Sequence, residues 1–369
     1  MTDSKPARSR WTMRGAGDPG SRPRAAGTRR GRIAPLAATV LIAGFAAACS
    51  SSGSGSGSAS ASGGGSTASG DTTSVSDVTL HVGDQAGSGA QALLTAAGLI
   101  HKLPFKVTWS DFTSGPPILQ AEGAGAIDIG AVGDAPPVFA AAGGNKIAVV
   151  AATKAGPTGA AIVVPKNSPI HSIAQLKGKK IAVAQGSSAD FHLLTVLQKA
   201  HLSVKDVTLD YLQPAEGQAA LSSGHVDAWD IWTPFIEQSL TKGARILVNG
   251  QGFGNPYSFE VASQAALNDP AKAAAIRDYL KLIAQAHVWA NTHPAAWAKV
   301  WAAGTGLPES VMFTAAKDAA ATPVPITPAI VAAEQHVTDA FAASGLIPNK
   351  INFADFVVTK FNDTVGSSS

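Results

Sequence analysis

Cysteine is almost missing from this chain: Cys49 is the single thiol in 369 residues. One thiol excludes internal disulfides and any cysteine-built zinc site. Arginine is scarce over most of the length. Residues 1–48 hold 9 of the 28 Lys+Arg and 2 of the 25 Asp+Glu, and beyond them only Arg245 and Arg277 remain as arginines. The rest of the chain therefore carries 19 basic and 23 acidic residues, net −4 against +3 for the whole. That balance lacks the clustered basic surface that nucleic acid demands, so no nucleic-acid partner is expected. Long hydrophobic runs are missing too. The best of them, Ile33–Ala48, has 16 residues and contains Pro35, whereas a bilayer-spanning helix needs about 20. The nine histidines show no metal spacing; His287 and His293 are six apart and fall on different helix faces. No phosphate loop, dinucleotide fingerprint or common catalytic signature occurs. Neither a metal, a cofactor nor a catalytic set is expected.

What is present begins with an export signal. Arg22, Arg24, Arg29, Arg30 and Arg32 precede the apolar run, and small residues close it. Two processing routes are open. Cleavage after Ala46-Ala47-Ala48 would leave Cys49 a free thiol. The same stretch resembles a bacterial lipoprotein signal, which implies a mature chain beginning at Cys49 with a diacylglycerol on its sulfur. Ala46 departs from that family's usual Leu, but a lone cysteine at this one place favours lipidation. Thr28-Arg29-Arg30 faintly resembles a twin-arginine export signal without the hydrophobic residues usual after the pair. Residues 50–76 are nearly all Ser, Gly, Ala and Thr. They form a flexible leash with a reach of about 25–30 Å. The expected product is an exported protein tethered through its lipid to the outer face of the cell membrane, or periplasmic where an outer membrane exists.

About 290 residues follow the leash, enough for one large domain or two smaller ones. Short apolar runs such as "VTLHVGDQ" (78–85), "FKVTWSDF" (105–112) and "AIDIGAVG" (126–133) alternate with helical patterns. The pattern restarts at "KKIAVAQG" (179–186), and the C-terminal portion reads as helices opened by Pro270, Pro294, Pro308 and Pro328. This predicts an α/β fold of two lobes with largely parallel sheets and a cleft between them.

Several residues stand where strands give way to helices, the usual ligand position in open α/β sheets. Asp134 opens the helix at Ala135, as an N-cap, a ligand contact, or both. Gly186, Ser187 and Ser188 open the helix after "KKIAVAQG", where free N–H groups and the dipole favour an anion; simple capping is the alternative. Ser187, Asp190 and His192 do not form a nucleophilic triad, because they crowd one and a half turns of a single helix. In "DAWDIWTPF" (227–235), Trp229 and Trp232 lie on opposite strand faces, and at least one is expected to wall the cleft. Trp289, Trp297 and Trp301 are expected to pack.

Three stretches, "WSDFTSGPPILQAEGAGAIDIGAVGDAPPVFAAAGG" (109–144), "AIVVPKNSPIHSIAQLKGKKIAVAQGSSADFHLL" (161–194) and "GHVDAWDIWTPF" (224–235), together resemble the aliphatic-sulfonate-binding proteins of ATP-driven importers, relatives of the taurine- and nitrate-binding proteins. The resemblance runs from about 78 to 345. It implies a type II periplasmic-binding-protein fold with crossover strands near Val163–Lys166 and Phe259–Ser263. With the export signal read over 1–48 and the lipidated cysteine and linker over 49–77, it implies lobe one over 78–163. Lobe two would take 164–261, the lobe-one completion and C-terminal helices 262–363, and a tail 364–369. The family's pocket positions fall on Ser114, Gly115 and Pro116; on Gly133, Asp134 and Ala135; on Gly186, Ser187 and Ser188; on Trp229 and Trp232; and on Tyr257. The implied activity is binding without catalysis, of an organosulfonate or of taurine, nitrate, a pyrimidine or another small organic anion. The implied partners are an importer permease with its ATPase. A monomer is expected. With so few arginines, a sulfonate would be met by helix N-termini, hydroxyls and indole N–H groups. Asp134 and Asp227 would have to point away from it or pair with a ligand amine.

Overall fold

Proline and capping residues set most helix starts in this chain. Asp269 accepts from the N–H groups of Ala271 and Lys272 just before Pro270, and Thr327 accepts from Ile330 just before Pro328. Proline is tolerated there because its missing N–H has no partner in a first turn. A computed structural model of the chain describes residues 74–85, 89–156 and 158–365. Cys49, the export signal and residues 50–73 of the leash lie outside the described residues, whereas Val75–Asp77 form a short 3-10 helix.

The described chain runs β1 (Thr79–Gln85), α1 (Ala90–Ala96), β2 (Lys106–Phe112), α2 (Gly115–Gly123), β3 (Ile129–Val132), α3 (Ala135–Ala142) and β4 (Ile147–Ala155). It continues through β5 (Ala160–Pro165), β6 (Lys180–Val183), α4 (Ser188–Lys199), β7 (Thr208–Tyr211), α5 (Pro214–Ser223), β8 (Ala228–Trp232), α6 (Phe235–Thr241) and β9 (Ala244–Asn249). It ends with β10 (Tyr257–Ser263), α7 (Gln264–Asn268), α8 (Pro270–Thr292), α9 (Pro294–Thr305), α10 (Glu309–Asp318), β11 (Ala321–Val324) and α11 (Pro328–Ala343). No helix among the described residues is long and apolar enough to cross a membrane.

Two sheets form, in the orders β11-β4-β10-β3-β1-β2 and β7-β6-β8-β5-β9. Each is mixed rather than largely parallel. β1 pairs in parallel with β2 and β3, and β6 with β7 and β8, whereas β10, β4 and β11 in one sheet and β5 with its neighbours in the other are antiparallel. The reason is connectivity. A βαβ unit returns each strand in the same direction, but a strand that arrives from the other sheet has no such helix behind it.

The chain passes between sheets after β4 and again after β9. The crossovers therefore occupy 156–159 and 250–256, upstream of the expected 163–166 and 259–263. Val163 is already paired with Trp229 and Ile246 inside the second sheet. Phe259 is already paired with Val132 and Ala152 inside the first. Both apolar runs read alike as free strands; the glycines just before each one mark the actual crossing. The lobes touch beside the cleft. Phe191 of α4 packs into the first lobe's core, its ring 5.7 Å from that of Phe341.

Candidate functional site

Two helix starts meet across the lobe boundary. Ser187 caps α4, its hydroxyl accepting from the Asp190 N–H at 3.4 Å and donating to the Ala184 carbonyl at 2.7 Å. Asp190 in turn accepts from the Gly186 N–H at 2.9 Å. Gly186 sits at φ +69, a left-handed conformation that suits glycine, and a Cβ there would press on the Phe139 ring of the other lobe. On the facing side Asp134 accepts from the Ala135 N–H at 2.9 Å. Gly133 lies so close to α4 that a Cβ would overlap the Ser188 hydroxyl. Burial pushes the Asp134 carboxyl up to about 6, against the pull of the Ser188 hydroxyl and nearby backbone N–H groups.

Behind this contact the cleft opens into a cavity of about 560 Å³, an ordinary size for a small-molecule site. Gly115, Gly133, Asp134, Ser187, Ser188, Trp232 and Tyr257 line it. The other expected positions do not. Ser114 is fully buried and donates to Gln213 Oε1 at 2.9 Å, beside Thr113 at 2.8 Å, so it helps latch one lobe to the other. Pro116 is half-buried outside the cavity, and Ala135 packs into the core of the first lobe. Gly186 shapes the turn from behind. Trp229 is a correction: its indole is fully buried against Gly217 with Nε1 unbonded, in the core beneath α5 and α6. Strand alternation sends Trp229 to that side and Asp230 and Trp232 to the other. Trp301 is stacked on Trp297 at 5.5 Å, yet it also lines the cavity, with Nε1 unbonded.

One titratable group of the cleft is one that spacing along the chain did not reveal. His192, one turn after Ser188, lines the cavity and is 2% exposed. Its Nδ1 lies 2.8 and 3.0 Å from the two carboxylate oxygens of the fully buried Asp230. Its Nε2 makes no hydrogen bond; the Asn249 carbonyl is near enough to favour the charged ring without meeting bonding geometry. Burial disfavours the imidazolium, but Asp230, that carbonyl and Asp134 outweigh it and hold His192 above its ordinary value. Ser187 is occupied with its own helix, so the pair is His192 with Asp230 and no nucleophile joins it. The sequence signal was an acid, Asp230, on the inward face of an otherwise apolar strand.

Among the described residues, no lysine or arginine lines the cavity. Arg245 donates to the carbonyls of Ser168 and Ile170, and Arg277 pairs with Asp363. Asp227 accepts from the Lys180 N–H at 2.9 Å, well along β8 from Trp232. The deep wall, towards α8 and α9, is acidic. Asp84 accepts from the N–H groups of Gln85, Ala90 and Gln91. Glu260 has no hydrogen bond at Oε2, and burial, with Asp84 nearby, pushes it up to about 8.

A family profile described as NMT1/THI5 like matches residues 115–296. A protein of Escherichia coli (strain K12) named for binding aliphatic sulfonates is 32% identical over 277 residues, 74% of this chain and 86% of that protein. The chain belongs to the aliphatic sulfonate-binding protein family. A Bacillus subtilis (strain 168) member is 31% identical over 69% of this chain and 77% of its own length. Among solved structures, the alkanesulfonate-binding protein SsuA of Xanthomonas axonopodis pv. citri, bound to MOPS, is 34% identical, covers 77% of this chain and 99% of its own, and superposes with a TM-score of 0.71. The periplasmic aliphatic sulphonate binding protein of E. coli is 32% identical, covers 76% and 92%, with a TM-score of 0.67. The desulfurization enzyme DszB, at 16% identity and a TM-score of 0.55, shares the fold alone. In family terms, the chain is a two-lobed solute-binding protein of the periplasmic-binding-protein fold.

Proposed function

We propose that this protein is the lipid-anchored, extracytoplasmic binding component of an ATP-driven importer and that it captures an aliphatic sulfonate by closing two lobes around it. It then hands the solute to a membrane permease powered by a cytoplasmic ATPase and performs no chemistry itself. One observation carries the anionic character of the solute. His192 lines the cavity together with Ser187 and Ser188 at the start of α4, its Nε2 lacks a hydrogen-bond partner, and Asp230 favours its charge. A sulfonate is a permanent anion with three acceptor oxygens and can take both kinds of donor. Trp232 and Tyr257 then flank the hydrocarbon part. The lone Cys49 after an apolar run supports the anchor.

The test is a thermal-shift and calorimetric series with ethanesulfonate, hexanesulfonate, MOPS, nitrate, sulfate and pyrimidines. A ligand at a hundred times its dissociation constant adds about 2.7 kcal/mol of stability, a shift of several degrees. Stabilisation by the sulfonates and not by nitrate or pyrimidines is the expected outcome. A folded protein that answers to no sulfonate would end the assignment.

A further inference from the structure

We infer that Asn255 and Glu334 are positioning residues for solute capture: their contact bolts the second crossover to the first lobe, holds Tyr257 in the cavity wall and leaves Gly254 as the point where that crossover bends. The inference concerns how the lobes close and holds whichever small anion the cleft takes. Asn255 lies in the crossover between β9 and β10 and lines the cavity. Its Oδ1 accepts from the Tyr257 N–H at 3.3 Å, and that donor fixes which way the amide faces. The Nδ2 group is thereby aimed at α11, where it donates to Glu334 Oε2 at 2.7 Å. Glu334 is fully buried, and its Oε1 has no partner among the described residues. The Asn255 amide is therefore the one hydrogen bond its side chain makes there. Were the crossover to swing away from α11, a buried carboxyl would lose that bond, which is costly. One residue on, the Pro256 carbonyl accepts from the Ala155 N–H of β4 at 2.9 Å. Residues 255–257 are thus held to the first lobe.

The residues before them are held to the second. The Gly250 N–H donates to the Ala160 carbonyl of β5 at 2.9 Å, the Gln251 N–H to Asn249 Oδ1 at 3.2 Å, and the Phe253 N–H to the Gly250 carbonyl at 2.9 Å. The Phe253 ring stands edge-on to His192 at 6.0 Å and packs against the second lobe's core. Gly254 alone lies between the two sets. It is exposed, a Cβ there would meet open space, and its φ is +77. Backbone conformation, not lack of room, calls for glycine at this place. Hinges are a few loop residues that absorb the change in φ and ψ, and here the anchors on either side narrow the choice to one.

The experiment is hydrogen exchange read by mass spectrometry on the empty full chain, unaltered and as Glu334→Met, Glu334→Gln and Asn255→Ala, with an ethanesulfonate titration of each. Met removes the acceptor and keeps the length. Gln keeps an acceptor. Burial, then Asp134 nearby, push the Glu334 carboxyl well above its usual range, so Gln matches its charge as well. E334M and N255A are expected to speed exchange at residues 254–257 about three- to tenfold, with the strands of both sheets unchanged, and to weaken ethanesulfonate by a similar factor. E334Q is expected to stay within about twofold of the unaltered protein on both counts. N255A, at a half-buried position, keeps the test open should E334M fail to fold. Exchange at 254–257 that stays at the parent rate in both variants, or rises only in step with the strands, would overturn the anchoring. So would E334Q behaving as E334M does. Exchange is read without ligand, so a fast crossover in E334M beside an unaltered protein that binds no ethanesulfonate would sink the sulfonate reading alone.

Discussion

Removing the buried pair at the α4 end of the cleft gives a decisive perturbation. His192→Leu alone would strand Asp230 in the core, and breaking one half of a buried pair costs about 3–5 kcal/mol. The double variant His192→Leu/Asp230→Ala removes both charges; replacing a buried pair by apolar groups is often near neutral for stability. A hydrogen bond to a charged group contributes about 1.5–3 kcal/mol, so ethanesulfonate affinity should fall about ten- to hundredfold. The pH profile supplies the sign. His192 lies above its ordinary value, the anion needs the Nε2–H, and so affinity is full at low pH and declines as pH rises through that value. Asp134, at about 6, Asp190, at about 7, and Glu260, at about 8, turn negative over the same range and push the same way. The slope alone therefore does not isolate His192; the double variant removes the histidine's share outright and, by taking away Asp230, also relieves the push that helps raise Asp190. Isothermal calorimetry from pH 6 to pH 9 is the assay. A double variant that folds, binds ethanesulfonate as tightly as the unaltered protein and keeps the same slope would refute the reasoning.

Three further outcomes are expected. Gly133→Ala places a methyl group against the Ser188 hydroxyl, so it should leave melting unchanged and block lobe closure, with affinity lost and small-angle scattering showing the open form even with ligand. Trp229→Ala should cost about 3–5 kcal/mol of stability as a core truncation, whereas Trp232→Ala should weaken binding with little change in denaturant midpoint. Stability of the empty protein should fall as pH rises from about 6.5 to 8. Asp190 and Glu260 are raised by burial to about 7 and about 8, so the native state holds protons that the unfolded chain has released, and ionising them in the core costs stability. His287, lowered to about 4, acts in the opposite direction only below its unfolded value. Midpoints from chemical denaturation at each pH check the sign.

The fold was legible because its signals are local. Proline at helix starts, caps at Asp134 and Ser187, and apolar runs of strand length located nearly every element. The start of α4 was legible for the same reason: glycine and two hydroxyls at the end of a strand announce a capped helix start. The crossovers were misplaced because an apolar strand looks the same whichever sheet receives it. Trp229 was misassigned because alternation gives two faces without saying which one meets the other lobe. The His192–Asp230 pair joins residues 38 apart in sequence, and Glu260 is defined by the absence of partners around it. Neither property has a sequence pattern, since both arise only when separate elements are packed together.

The two crossovers carry a mechanical consequence. Gly156 and Gly159 in the first, and Gly250, Gly252 and Gly254 in the second, all border the cavity. The straps that join the lobes are thus also walls of the chamber. A solute that presses on them does not signal to a distant pivot; it wedges or releases the pivot directly. Cargo dimensions and jaw angle are thereby expected to be coupled through the same few glycines.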